Sequence, residues 1–194
     1  MIRRRREGEE LERVKLFSEI PFLEDERIVL KRVEDSDAQE LERMASDPKV
    51  YRYLPTFLYE QNGGDAHKVI RDFYDRLFPR KEAVLLGVYR KVGRKPEFCG
   101  LAELYGYRED ILKISMGYRL MEEYWGQGLA TRTVALLVDY LYGRTDIEII
   151  TASTMPENQA SARVLRKNGF IMTSSRVPED WGYEEMTPAD KWFR

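Results

Sequence analysis

Three β-rich stretches, Ala83 to Arg90, Phe98 to Tyr107 and Leu112 to Leu120, follow one another with only short turn material between them. The connections are Val92-Gly93-Arg94-Lys95-Pro96 and Arg108-Glu109-Asp110. Links that short join antiparallel neighbours, because a parallel return needs a crossover of about a dozen residues or more. The middle of the chain therefore reads as an antiparallel meander, which contradicts a doubly wound parallel sheet.

The segments on either side have a different period. Arg27 to Val33 reads as a first strand, and Ser36-Asp37-Ala38-Gln39 has the form of a capping box. The helix behind it carries Ala38, Leu41, Met44 and Ala45 on one stripe and should stop near Asp47-Pro48. A short helical turn over Pro48 to Tyr53 ends where Pro55 disfavours helix at Leu54. Asn62-Gly63-Gly64-Asp65 is a loop and cap, after which Ala66, Val69, Ile70, Phe73 and Leu77 recur at helical spacing. His67 lies off that stripe and reads as an exposed helix residue.

Beyond the meander, Met121 to Gln127 leads into a mostly buried helix from about Gly128 to Tyr142, with Gly143 as its stop. Glu148 to Thr154 is a strand, so Leu112 to Thr154 forms one β-loop-α-β crossover onto a parallel neighbour. A last helix spans roughly Asn158 to Asn168, closed by Gly169 and Phe170 in a Schellman pattern, and Ile171 to Arg194 supplies two weaker strands around a loop. The expected organisation is one mixed α/β domain over residues 26–194 after an N-terminal extension, 1–25.

A chain of 194 residues can bury a sizeable core in one domain. Lys and Arg number 32 against 34 Asp and Glu, and that balance excludes a general polyanion-binding surface, so no nucleic acid is expected as partner. The run Arg3 to Arg6 is followed at once by Glu7, Glu9 and Glu10 and reads as a solvated tail; a contact for an anionic partner is the other reading. No apolar run approaches the roughly 20 residues of a membrane span, and no signal peptide is visible, so a cytoplasmic protein is expected. The single cysteine, Cys99, excludes an internal disulfide, and the single histidine, His67, excludes a His-based zinc site or a Ser-His-Asp triad. No metal is expected. The chemistry falls to carboxylates, hydroxyls, backbone groups or a bound cofactor.

Two motifs carry that chemistry. Trp125-Gly126-Gln127-Gly128-Leu129-Ala130-Thr131 stands between a strand and a buried helix. Its glycines let a ligand approach the main chain, and the first-turn amides of the helix suit a phosphate or pyrophosphate; simple turn chemistry is the alternative. It is not a Walker A sequence, since Leu129-Ala130 follows Gly128, and Thr131 stands where a dinucleotide fingerprint needs Gly or Ala. The second motif, Asn158-Gln159-Ala160-Ser161, gives Asn158 as N-cap for the Ser161 amide and leaves the Ser161 hydroxyl free to meet a ligand at the helix end.

In this order and separation the two motifs resemble the GNAT superfamily of acyl-CoA-dependent N-acyltransferases, in particular its RimJ/RimL-like branch. RIVLKRVEDSDAQELERMASDPKVYRYLP looks like that branch's opening strand and helix pair, MGYRLMEEYWGQGLATRTV like its cofactor strand, loop and helix, and NQASARVLRKNGF like its closing helix. The resemblance covers about Arg27 to Phe170. It implies a GNAT-like fold with parallel strands splayed at a cofactor cleft, and an acetyl-CoA-dependent transfer of an acetyl group to a primary amine by direct attack in a ternary complex. A non-catalytic acyl-CoA-binding sensor is the alternative, and it predicts binding without thiol release.

Carried onto this chain, the resemblance implies that Tyr118, Arg119 and Leu120 pair their backbone with the pantetheine arm. Gly126, Gln127, Gly128, Leu129, Ala130 and Thr131 donate main-chain N–H groups to the pyrophosphate. Trp125 replaces a common Arg or Gln, and Asn158 and Ser161 face the pantetheine and sulfur; Lys167 or Arg163 lies near the adenosine phosphates. A backbone N–H near Tyr118 meets the oxyanion, and Ser161 returns a proton to the thiolate. A lysine-type amine has a pKa near 10.4 and an α-amine nearer 8, so a base or water chain is needed. Many relatives hold a Glu where Ser115 stands. Glu103 is then one candidate base, the pair Glu179 and Asp180 another, and selection of the neutral amine a third. Tyr51, Tyr53, Phe57, Tyr59, Trp181 and Tyr183 either wall an acceptor pocket or pack as core. The acceptor itself is not legible, and a side-by-side or strand-exchanged homodimer is open to such a scaffold.

Overall fold

A computed structural model of the protein describes residues 13–93 and 95–194; the Arg3 to Arg6 run lies outside them. Strands β1 (Leu23–Glu24), β2 (Ile28–Arg32), β3 (Ala83–Arg90), β4 (Glu97–Arg108), β5 (Lys113–Leu120), β6 (Ile149–Thr154), β7 (Ile171–Glu179) and β8 (Thr187–Phe193) form one sheet among the described residues. Its order is β1-β2-β3-β4-β5-β6-β8-β7. The meander β3-β4-β5 is antiparallel throughout, and the single crossover places β6 parallel to β5. β8 inserts between β6 and β7 and is antiparallel to both.

Helices cover both faces. α1 (Ala38–Ala45), α2 (Pro48–Tyr51), α3 (Tyr59–Asn62) and α4 (Ala66–Lys68) lie on one side. α4 continues through a π-helical segment, Val69–Tyr74, into α5 (Asp75–Leu77). α6 (Leu129–Arg144) and α7 (Gln159–Lys167) lie on the other side. Alternate residues of β5 show the division: Arg119 reaches Glu60 of α3, whereas Tyr118 reaches Ser161 of α7. Covered on both faces, the central strands read as nearly continuous apolar runs, and Leu86, Leu101, Leu104 and Ile114 are fully buried. No helix among the described residues is long and apolar enough to cross a membrane.

Three local expectations are corrected. The capping contact before α1 sits earlier than Ser36: Asp37 accepts from the Glu34 amide at 2.8 Å, so a short 3₁₀ turn, Asp35–Asp37, precedes the helix. Gly143 does not stop α6. The helix runs on to Arg144, because the Thr145 amide still bonds the Leu141 carbonyl and the Arg144 carbonyl is taken by Val14 at 3.0 Å. The helical turn at Pro48 ends at Tyr51, with Asp47 accepting from the Lys49 amide as its cap. The Schellman closure of α7 is as expected, with Phe170 donating to Leu165 and Gly169 to Arg166. Ahead of residue 26, Leu16 is fully buried and Phe17 packs on Phe78 and Tyr107, so the chain is part of the folded body from Val14 onward.

Candidate active site

β5 and β6 share only three rungs, Lys113↔Ile149, Ile114↔Ile150 and Ser115↔Thr151. Beyond them β5 stays on β4 as far as Leu120, and β6 stays on β8 as far as Thr154. Each strand follows its outer partner, and the sheet opens into a V. The hydroxyls of Ser115 and Thr151 lie 2.9 Å apart at the apex. Ser115, standing where the resemblance leads one to look for a carboxylate, thus pins the last shared rung.

The open arm of β5 turns main-chain groups toward the gap, of which the Leu120 carbonyl already accepts from the Trp125 indole. Met121 donates to Cys99 at 2.9 Å, and the register continues through Leu101↔Arg119 and Glu103↔Gly117. Because an antiparallel ladder alternates, the N–H and C=O groups of Met116, Tyr118 and Leu120 turn away from β4 toward the gap, whereas those of Arg119 turn toward β4. On the far face Asn158 caps α7 by accepting from the Ser161 amide at 3.1 Å. The Tyr118 hydroxyl donates to Ser161 Oγ at 3.0 Å. Burial pushes that tyrosine up to about 12, the Ser161 bond working the other way, so it holds its proton at neutral pH.

At the head of α6, Gly126 and Gly128 have φ of +71° and +79°, and a Cβ on either would meet nothing within 4 Å. No side chain among the described residues caps this helix, so the first-turn amides from Leu129 to Thr131 are left for an outside acceptor. The neighbouring side chains are held clear. Trp125 donates its indole N–H to the Leu120 carbonyl at 2.7 Å, and Gln127 bonds Arg90 and the Glu123 carbonyl. Lys167 is exposed at the end of α7, next to Asn168, which donates to the Thr131 carbonyl at 3.2 Å. Lys167 and Arg163 make no ion pair among the described residues. An open glycine mouth, uncapped amides and a gap between diverging strands fit a diphosphate bearing an extended amide arm.

A cavity of about 520 Å³ occupies the V and reaches both faces of the sheet, since Glu103 and Tyr105 line it together with Tyr118, Asn158 and Ser161. Tyr53, Phe57, Tyr59 and Trp181 wall it, so these aromatics shape the pocket, while Tyr51 is buried beneath. Thr56 donates to the Trp181 carbonyl at 2.8 Å, and the Tyr183 hydroxyl donates to the Leu54 carbonyl at 2.9 Å; these bonds join the loop after α2 to the loop after β7.

The three acids expected here differ in setting. Glu103 lies over Gly117, where a Cβ would come within 3.1 Å of its Oε1, and accepts from Arg119 at 3.0 Å. Glu179 pairs with Lys191 at 2.6 Å; burial pushes its carboxyl up, but Lys191 and the neighbouring donors outweigh that and hold it below the ordinary range. Asp180 is exposed and accepts from the Gly182 amide. His67 is exposed and paired with Asp35.

One part of the site escaped the sequence reading. The Arg119 side chain is buried between Glu103 and Glu60, its Nε 2.5 Å from Glu60 Oε1, and Tyr51 and Tyr74 donate to Glu60 at 3.1 and 2.8 Å. The visible signal was an arginine in a strand covered on both faces, which demands a buried counter-ion.

The family model described as "Acetyltransferase (GNAT) domain" matches residues 27–171. The chain is similar to the uncharacterized N-acetyltransferase YoaA of Bacillus subtilis (strain 168), 26% identical over 170 residues that cover 88% of this chain and 93% of YoaA. Among solved structures it is similar to an acetyltransferase of the GNAT family from Bacillus anthracis, at 19% identity and a TM-score of 0.74, covering 90% of this chain and 98% of that one. It is also similar to RimL, a ribosomal-protein α-N-acetyltransferase in complex with coenzyme A, at 18% identity and a TM-score of 0.76, covering 90% and 97%. At these identities the two structures attest the fold.

Proposed function

Since the chain belongs to the GNAT acetyltransferase family and is an acyltransferase, we propose that it moves an acetyl group from acetyl-CoA to a primary amine held in the cavity, both substrates being bound together. The observation that carries this reading is the V between β5 and β6, which ends at Ser115 and Thr151 and holds a cavity open to both faces. A donor arm entering from the α6 side and an acceptor from the α3 side meet there.

Acetyl-CoA supplies a thioester, an activated acyl donor. The amides from Gly126 to Thr131 hold its diphosphate with the positive end of α6. The Tyr118 carbonyl and the Leu120 N–H bond the pantetheine arm as an added strand would, and the Tyr118 N–H stands ready for the charge that develops on the thioester oxygen. Glu103, on the acceptor side, takes the proton that an amine must lose before it can attack. Ser161 gives a proton to the departing thiolate as it receives one from the Tyr118 hydroxyl, and the attacking nitrogen sheds its second proton to the solvent of the cavity, which reprotonates Tyr118. A protein N-terminus and a small-molecule amine both satisfy this site.

The test is direct. Acetyl-CoA at 100 times its dissociation constant should stabilise the fold by about 2.7 kcal/mol and raise Tm by about 5–10 °C. In a panel of amines and peptide N-termini, at least one should release coenzyme A thiol in step with its own acetylation. No Tm shift at millimolar acetyl-CoA refutes the proposal.

A further inference from the structure

Glu60 takes no part in the proton transfers above, yet it is shut inside the protein, its side chain 1% exposed. Arg119 stands between it and Glu103, with Nε 2.5 Å from Glu60 and Nη1 3.0 Å from Glu103. One cation thus serves two carboxylates, and the triad is left one negative charge in excess. The surroundings decide where that excess resides.

Glu60 accepts from the Tyr51 and Tyr74 hydroxyls. Burial pushes its carboxyl up, but Arg119 and the hydrogen bonds it receives outweigh that and keep it ionised. Burial also drives Tyr51 and Tyr74 upward, so both remain donors. Glu103 receives neither tyrosine, its side chain is 19% exposed, and it faces the cavity over Gly117. The charge that Arg119 does not neutralise therefore faces the cavity at Glu103.

We infer that Glu60 is a positioning residue: by occupying Arg119 it keeps the guanidinium's full charge off Glu103 and leaves that carboxylate free to take the acceptor's proton; the last clause rests on the proposed role of Glu103. Without Glu60 the full charge of Arg119 falls on Glu103, and an unshared arginine at that distance lowers a carboxylate's proton affinity by about one to three pH units. Outside the triad and its tyrosines, Glu103 faces Tyr105 on its own strand and, across the cavity, Glu179 with its partner Lys191; Glu82 and Asp180 also line the space. A change at Glu60 alters none of these groups.

The experiment is a carboxyl ¹³C NMR titration of the full chain labelled at glutamate, without substrate, the Glu103 resonance being assigned by its loss in Glu103→Gln. In Glu60→Gln the Glu103 midpoint should fall by about one pH unit or more, a tenfold loss of proton affinity. A midpoint that stays or rises overturns the inference, and a purely structural Glu60 would leave it in place. Retention of the acetyl-CoA-induced Tm rise certifies the fold; if the amide variant does not fold, Glu60→Asp draws the carboxylate back from Arg119 and should move the midpoint the same way by less. The acid limb of kcat/KM separates the two readings. A limb that shifts down with the midpoint supports both, and a limb that stays while the midpoint moves supports the coupling and removes Glu103 as the base.

Discussion

Ser161 owes its position to two bonds of different origin, the Asn158 cap on its amide and the Tyr118 hydroxyl on its oxygen. Ser161→Ala keeps the cap and removes the proton donor. It should lower kcat roughly 100-fold while acetyl-CoA affinity changes little, as steady-state thiol release and calorimetry would read. Tyr118→Phe should cost a similar factor, and the double variant little more than either, because the hydroxyls act as one unit. Cys99 is fully buried and its thiol is pushed up to about 12, mainly by burial, so it stays neutral at working pH. An aromatic disulfide reagent at pH 8 should leave the native protein untouched and take up one equivalent after denaturation. Asn158 and Ser161 were legible because a cap and its helix lie within four residues. Glu60 was not, because Arg119 announces a need for a buried acid without saying which of 34 acids meets it.

Local chain direction accounts for most elements and for the places where they depart from expectation. Gly128 sits at φ +79° as the N-terminal boundary of α6. Gly128→Ala should cost about 1–2 kcal/mol of strain, lower Tm by about 2–8 °C, and set a methyl at the helix mouth that weakens acetyl-CoA binding by roughly tenfold or more. Differential scanning fluorimetry with and without ligand separates the two effects. Gly143 resembled a stop because glycine favours helix ends, but Val14 occupies the carbonyl of Arg144 and lets the helix run on. The π-helical stretch Val69–Tyr74 keeps an apolar stripe and so looks like ordinary helix in sequence. Its wider turn belongs to the stretch that carries Tyr74 to Glu60.

At the scale of the molecule, the change of period along the chain was enough to read a meander followed by one crossover, and the observed strand order agrees. The insertion of β8 between β6 and β7 was not legible, since alternation tells which face a residue takes and not which strand lies beside it. Each arm of the sheet carries a paired carboxylate, Glu60 on Arg119 of β5 and Glu179 on Lys191 of β8, which predicts acid sensitivity. Glu60 and Glu179 are both held below the ordinary glutamate value of 4.5, so their contribution is present above 4.5 and is lost as pH falls through their lower folded values. Thermal unfolding should give a nearly constant Tm from pH 7 to about 5 and a falling one below about 4.5, and Glu60→Gln should flatten that fall. The donor half of the cleft is one continuous stretch, β5 through α7, whereas the acceptor wall is assembled from two distant loops that Thr56 and Trp181 bond together. A lineage adopting a new acceptor must therefore edit both loops in concert, and substitutions near Thr56 and Trp181 should be inherited as pairs while the donor half stays unchanged.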